Sequence, residues 1–160
     1  GAGGKERPNV PLAIEKGGIG SYHMFEKNLK DIDATVLATM YVGNGYFFDN
    51  EEEVTRKIAA MTEKLKADVI LCGPCFDYQD YAKMSAIVAK TIEETTDAKA
   101  IVMCSKENEE TINTYKDEVT IVKMPKKGGT GLKESFSNMT HVLKAKHEGE
   151  SKDSYASFVY

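Results

Sequence analysis

The amino-acid sequence predicts an α/β fold, a three-layer sandwich on an open parallel sheet of four to five strands. Three observations carry that expectation. Short runs of β-branched and nearly uncharged residues recur at 34–42, 69–71, 100–103 and 119–124. Segments between them place apolar residues at helical spacing. The alternation of the two calls for right-handed parallel crossovers with helices on both sheet faces, a Rossmann-like or flavodoxin-like arrangement.

Taken in order, residues 1–20 hold two glycine clusters, Gly1-Ala2-Gly3-Gly4 and Gly17-Gly18-Ile19-Gly20, around Pro8 and Pro11, and read as a glycine-rich loop region. Tyr22, Phe25, Leu29 and Ile32 recur at helical spacing and predict a helix over 21–31. Ala34–Val42 is short enough to be a strand buried on both faces, stopped by Gly43-Asn44-Gly45. Asn50 and Glu53 fit a helix-capping pair, and Val54, Ile58, Met61 and Leu65 form one apolar stripe, so a helix spans 51–66. Val69–Leu71 forms the next strand, and Tyr81, Met84, Val88 and Ile92 stripe the helix after it. A strand at 100–103, a short helix around Ile112 and Tyr115, and a strand at 119–124 continue the pattern. Leu132, Phe136, Met139 and Leu143 mark a last helix. The chain is read as one α/β domain over 1–147 with a polar C-terminal tail over 148–160, whose Tyr155, Phe158 and Tyr160 could dock on the domain.

Composition narrows the function classes. Hydrophobic residues at 41% and charged residues at 29% are those of a chain that folds in water. With 21 basic against 25 acidic residues the net charge is -4, so a concentrated basic face for nucleic acid is not expected. No apolar run approaches the roughly 20 residues that cross a bilayer, and the N-terminus lacks a secretory layout; no membrane partner and a cytoplasmic location are expected. Three cysteines are too few for a disulfide framework.

In open parallel sheets, ligands bind beyond the carboxyl ends of the strands, where helix N-termini offer free N–H groups. That rule selects the loops 43–48, 72–78, 104–108 and 125–130. Within them Cys72-Gly73-Pro74-Cys75 has the spacing of a reactive dithiol. If chemistry resides there, Cys72 is the attacking thiolate and Cys75 its partner. Packing of two small residues in a tight turn explains the motif too, and is the preferred reading. Cys104 ends a neighbouring strand, but a three-thiol metal cluster would lack its fourth ligand, and His23, His141 and His147 do not supply one; no metal and no cofactor are expected. The glycine-rich turns Gly17–Gly20 and Gly128-Gly129-Thr130 could each cradle a phosphate or carboxylate, although neither fits the dinucleotide or P-loop signature; the second, with Lys126 and Lys127 beside it, is the better anion candidate, and a plain strand-to-helix turn explains it equally well.

Two motifs together carry a resemblance. Gly43-Asn44-Gly45-Tyr46-Phe47-Phe48-Asp49-Asn50 follows one strand and Gly73-Pro74-Cys75-Phe76, with Tyr81 downstream, follows the next. This pattern, with the lysine-rich run from Leu143 to Glu150, resembles the N-terminal part of the selenoprotein B subunit of glycine/sarcosine/betaine reductases over most of residues 1–150. The resemblance implies reductive C–N cleavage of a glycine-type amine activated on a pyruvoyl subunit. It also implies that the attacking selenolate lies in a second half not represented in these 160 residues. Glu107-Asn108-Glu109-Glu110 departs from the Glu-Asn-Pro-Gly usual in the family, which puts that loop's role in doubt. Cys72 and Cys75 stand where small residues such as Ala are common. The glycine-rich start resembles the loop after the family's first strand, so the sheet is expected to need cover at one edge from a missing strand, a partner chain or a second copy.

The reading that follows is a reductase-family domain without the selenocysteine half. It would bind a small carboxylate-bearing or partner-presented ligand through Asn44, Tyr46, Gly73, Pro74, Glu107, Gly128, Gly129 and Thr130. Its partners would be a second catalytic or pyruvoyl-type subunit, or another copy of itself. A dithiol redox protein and a purely structural subunit are the alternatives.

Overall fold

Strand pairing of two kinds organises the chain. The computed structural model describes residues 8–160, so the glycine cluster at 1–4 lies outside the described residues. Two compact units are distinguished, the first ending at Ala67 and the second spanning Asp68–Tyr160.

In the first unit, β1 (Ala13–Lys16) pairs antiparallel with β2 (Ala38–Tyr41), Ala13 opposite Tyr41 and Lys16 opposite Ala38. This corrects two expectations. Within the glycine-rich stretch expected to be loop, Ala13–Lys16 is a strand, and its four residues are too few to register as a period in sequence. The run at 34–42, expected to be a strand buried on both faces of the parallel sheet, instead supplies β2, which is half-buried throughout and belongs to a two-stranded antiparallel ribbon. The helix expected at 21–31 is a 3-10 turn over Gly20–Met24 followed by α1 (Glu26–Asp31), with Phe25 at φ -130° between them. Phe25 and Leu29 still point inward, as their spacing requires.

The loop expected at 43–48 is a helix, α2 (Asn44–Asp49), and α3 (Glu51–Lys64) follows directly. Asn50 does not cap α3 through its side chain. Its amide donates to the Tyr46 carbonyl at 3.0 Å and its own N–H to the Phe47 carbonyl at 3.1 Å, so it closes α2 instead. The acidic first turn of α3, Glu51 to Glu53, suits the positive end of the helix dipole.

The second unit holds the parallel sheet. β3 (Val69–Cys72), β4 (Lys99–Ser105) and β5 (Thr120–Met124) run parallel in that order, Ile70 beside Ala100 and Val102 beside Ile121. Among the described residues the parallel strands number three rather than four to five, since the 34–42 run is spent on the antiparallel ribbon. β4 lies in the middle and buries every residue after Lys99. α4 (Gln79–Thr95) packs on β3 and β4 with α5 (Glu109–Tyr115) beside it, while α6 (Leu132–His147) packs on β3, β4 and β5. Ala82, Ala86 and Ala89 let α4 approach the sheet closely. Ile101, Met103, Ile121 and Met139 are fully buried, each worth roughly 1.5–3 kcal/mol by removal from water.

Residues 148–160 pack back onto this unit. Tyr155 and Val159 are buried, and Val159 bridges antiparallel to Val122 on the outer side of β5. The Tyr160 N–H donates to the Ile121 carbonyl at 3.0 Å. His141 stands against Phe158, ring centroids 5.3 Å apart. Lys146, nearly buried, directs its ammonium to Glu93 at 2.9 Å, Thr120 at 3.0 Å and the Ala100 carbonyl at 3.3 Å, which matches its three donors.

Candidate functional site at the carboxyl ends of the strands

Parallel strands deliver their carboxyl ends to one rim of the second unit. There β3 runs out into Cys72–Tyr78, β4 into Lys106–Asn108, and β5 into Pro125–Gly131.

The first loop turns at once. Gly73 has φ +121°, and a Cβ there would meet the Cys75 nitrogen and the Met103 carbonyl oxygen at 2.9 Å each, so only glycine fits. The Gly73–Pro74 peptide bond is cis. The Cys75 N–H then donates to the Met103 carbonyl at 2.8 Å, which ties the loop to β4. Phe76 takes φ +52°, an unusual value for a non-glycine residue. Its carbonyl receives the Ser105 N–H at 3.0 Å, the Ser105 hydroxyl at 2.9 Å and the Asn108 amide at 2.7 Å, and these hold the strained backbone in place.

Asn108 is completely buried. Its Nδ2 donates both to Phe76 O and, at 3.0 Å, to Ser105 O, which settles the orientation of the amide: the reverse would set oxygen against two carbonyls. Oδ1 is consequently turned away from both, is closed to solvent and has no hydrogen-bond partner. Glu107 next to it behaves alike. Its Oε2 accepts the Lys127 N–H at 3.0 Å, while Oε1 is closed to solvent without a partner. The Lys127 N–H, then the Ser105 hydroxyl, hold this carboxyl below its ordinary value, with the Lys126 charge a smaller contribution. Gln79 donates to the Glu107 carbonyl at 2.9 Å, joining the start of α4 to the same loop.

The thiols sit beneath this rim in apolar surroundings. Burial pushes Cys72 up to about 12, with the Glu93 charge adding to it, and pushes Cys104 up to about 12. Cys75 is raised well above the usual thiol value by burial, against a smaller opposing effect of its contact with the Ser85 hydroxyl at 3.3 Å. The Tyr81 phenol is raised too, by burial first and by Cys75 and Cys72 after it. All three cysteines are free. A thiolate nucleophile needs the opposite environment, electropositive and partly exposed. Among the described residues no group of three or more His, Cys, Asp or Glu could hold a metal ion, and no helix is long and apolar enough to cross a membrane.

Of the residues singled out from the sequence, Gly73, Pro74, Cys75 and Glu107 meet in this network. Gly128, Gly129 and Thr130 are exposed on the adjoining turn, joined to it through Lys127. Asn44 and Tyr46 belong to the first unit, half-buried on α2. Sequence reasoning missed Ser105 and Asn108 as functional candidates. Asn108 could have been found, since an Asn between a buried strand and an acidic helix start must satisfy its amide locally. Ser105 carried no such signal. Also missed was the reach of Tyr160, whose hydroxyl donates to the Cys104 carbonyl at 2.9 Å.

A parallel sheet with helices on both faces, its strand-end loops knitted into one rim, defines the class: an open α/β domain of Rossmann-like type. Within that class, the chain belongs to the glycine/sarcosine/betaine reductase selenoprotein B family, which residues 1–157 match. It is 25% identical over 150 residues to the sarcosine reductase complex component B subunit beta of Peptoclostridium acidaminophilum, covering 94% of this chain and 34% of that one. Similarity to the glycine reductase complex component B subunit gamma of Carboxydothermus hydrogenoformans is 26% over 120 residues, covering 75% of this chain and 27% of that one. The namesake subunit gamma from Peptoclostridium acidaminophilum is 26% identical over 101 residues, covering 63% of this chain and 23% of that one. The chain thus spans about a third or less of the length of these curated relatives. No solved structure matches it.

Proposed function

We propose that this chain is a binding component of a glycine- or sarcosine-reductase system of the component B type, with the bond-breaking nucleophile outside residues 1–160. The observation that carries this reading is the family match over residues 1–157. The relatives are named as subunits of complexes, which favours a partner subunit of the second-catalytic or pyruvoyl type over solitary action. The rim of Gly73, Pro74, Glu107 and Lys127 is the ligand end of the domain, because helix starts and unpaired polar groups converge there. Asn44, Tyr46, Gly128, Gly129 and Thr130 are secondary ligand contacts in this reading.

A role for Cys72 and Cys75 as a redox couple is disfavoured by their buried, proton-retaining state. The reductive step belongs to a partner in this scheme, and this chain holds or presents the small molecule.

The test has two arms. Glycine and sarcosine are titrated into the isotope-labelled chain and followed by amide NMR shifts, and the chain is co-expressed with the protein encoded beside it. Shifts concentrated at 73–78 and 105–108, together with a stable complex on size exclusion, are expected. A monomer that meets no neighbour and shifts with neither compound would overturn the proposal.

A further inference from the structure

The tail over 148–160 lies along β5 and also reaches β4. Gly149, just past the end of α6, takes φ +72° with nothing near the position of a Cβ and turns the chain back. Beyond it several backbone hydrogen bonds stay inside the tail, from Ser154 to Ser151, Tyr155 to Lys152 and Phe158 to Tyr155. The polar ties to the sheet are fewer. Val159 bridges Val122, the Tyr160 N–H donates to Ile121, and the Lys123 ammonium donates to the Ser157 carbonyl at 3.4 Å. A cavity of about 170 Å³ is lined by Lys152, Val159 and Tyr160 of the tail together with Val119, Thr120 and Lys146, so part of this seam is unfilled.

A short length of chain laid along an edge strand guards it against pairing with other chains. Tyr160 does something an edge guard does not need. Its side chain reaches past β5 and donates its hydroxyl to the Cys104 carbonyl of β4 at 2.9 Å. Burial first and Cys104 second raise this phenol, against the Met124 N–H, with the Glu107 charge adding least, so it keeps its proton and remains a donor. The Cys104 carbonyl and the Ser105 N–H belong to one planar peptide group. Its oxygen takes the Tyr160 hydroxyl, and its N–H donates to the Phe76 carbonyl at 3.0 Å. A donor on the oxygen polarises the group and strengthens the bond on its other side. That bond is one of those holding Phe76 at φ +52°, and the Ser105 carbonyl in turn receives the Asn108 N–H at 3.1 Å.

We infer that the tail is a displaceable strap whose seating on β5 sets the order of the strand-end rim, the two being coupled through the Cys104–Ser105 peptide group. A strand that paired with the outer edge of β5 would have to evict Val159 and Tyr160, and would loosen the rim in doing so. The inference requires no ligand and stands apart from the reading of the rim as a ligand end.

Native-state hydrogen exchange on the 160-residue chain tests it in two ways. In wild type at low urea, the Tyr160, Ser105 and Asn108 amides are expected to open together, before Ile70 on the far strand β3. Ser105 that stays as protected as Ile70 after Tyr160 has opened would overturn the coupling. Tyr160→Phe removes only the hydroxyl and keeps the ring. It is expected to quicken exchange at Ser105 and Asn108 by roughly threefold to tenfold, with Ile70 unchanged. Ser154→Ala removes a hydroxyl that bonds only within the tail, to the Ser151 carbonyl, and is expected to leave all of these rates alone. Unchanged rates at Ser105 and Asn108 in Tyr160→Phe would reduce the tail to an edge guard and overturn the inference. Equal acceleration at Ile70 would do the same, since it would mean a general loss of stability with no path to the rim.

Discussion

The loop after β3 and the loop after β5 leave the same rim of the same sheet, yet they are held in opposite ways. Residues 72–78 are stitched to β4 through Cys75, Phe76, Ser105 and Asn108, and the glycine among them has no space for a side chain. Residues 125–131 are mostly exposed, and Gly128 has nothing near the position of a Cβ. Both are glycine-containing strand-to-helix turns in sequence. The lesson is that a glycine signature says a backbone needs freedom, without saying whether a close approach or an open bend demands it.

The largest way to test that contrast is pH. The buried thiols under the first loop have folded pKa values raised from about 9, Cys72 and Cys104 to about 12. The folded state therefore holds these protons more tightly than the unfolded one. Stability is fully present below pH about 9 and is lost as pH rises toward 12, by about 1.4 kcal/mol per pH unit for each thiol. Urea midpoints measured from pH 7 to 11 should fall steeply above 9, and iodoacetamide at pH 8 should label the cysteines only after unfolding. Rapid labelling of native protein at pH 8 would remove the thiols from the interior.

Backbone crowding comes next. Gly73→Ala meets both a positive φ and two backbone atoms at 2.9 Å, and is expected to cost about 3 kcal/mol in chemical denaturation. A cost below 1 kcal/mol would mean that the loop relaxes freely and the contrast is false. Asn108→Ala strips a donor from the Phe76 and Ser105 carbonyls and is expected to cost about 2 kcal/mol. Hydrogen exchange should then quicken at Ser105 and Cys75 while Gly129 is unchanged. Smallest of all is Gly128→Ala, where a positive φ in open space costs about 1 kcal/mol. An equal penalty for Gly128→Ala and Gly73→Ala would erase the distinction.

Legibility followed the same physical line. Val54 and Ile58 of α3, and Met84, Val88 and Ile92 of α4, announced buried helix faces because a long period repeats many times. β4 was legible as an uncharged run, and its burial follows from lying between β3 and β5. β1 escaped notice, since four residues with three exposed carry no period. α2 was hidden by Gly43-Asn44-Gly45, which reads as a breaker, yet Gly43 stands just before the helix and Gly45 inside its first turn. Of the candidate site, Gly73, Pro74 and Glu107 stood out by residue type and loop position, while the contacts of Ser105 and Asn108 depended on a partner about thirty residues away.

By itself the sequence determined the order of helices and strands from Val69 onward, the family, and which loops leave the carboxyl ends of the strands, because these depend on local period and chain connectivity. Only the tertiary structure decided that 34–42 joins an antiparallel ribbon, that the thiols are sealed from water, and that Glu107 and Asn108 each keep an oxygen unmatched. Strand partners, burial and hydrogen-bond satisfaction are properties of residues distant along the chain and adjacent in space, and no window of sequence contains both members of such a pair.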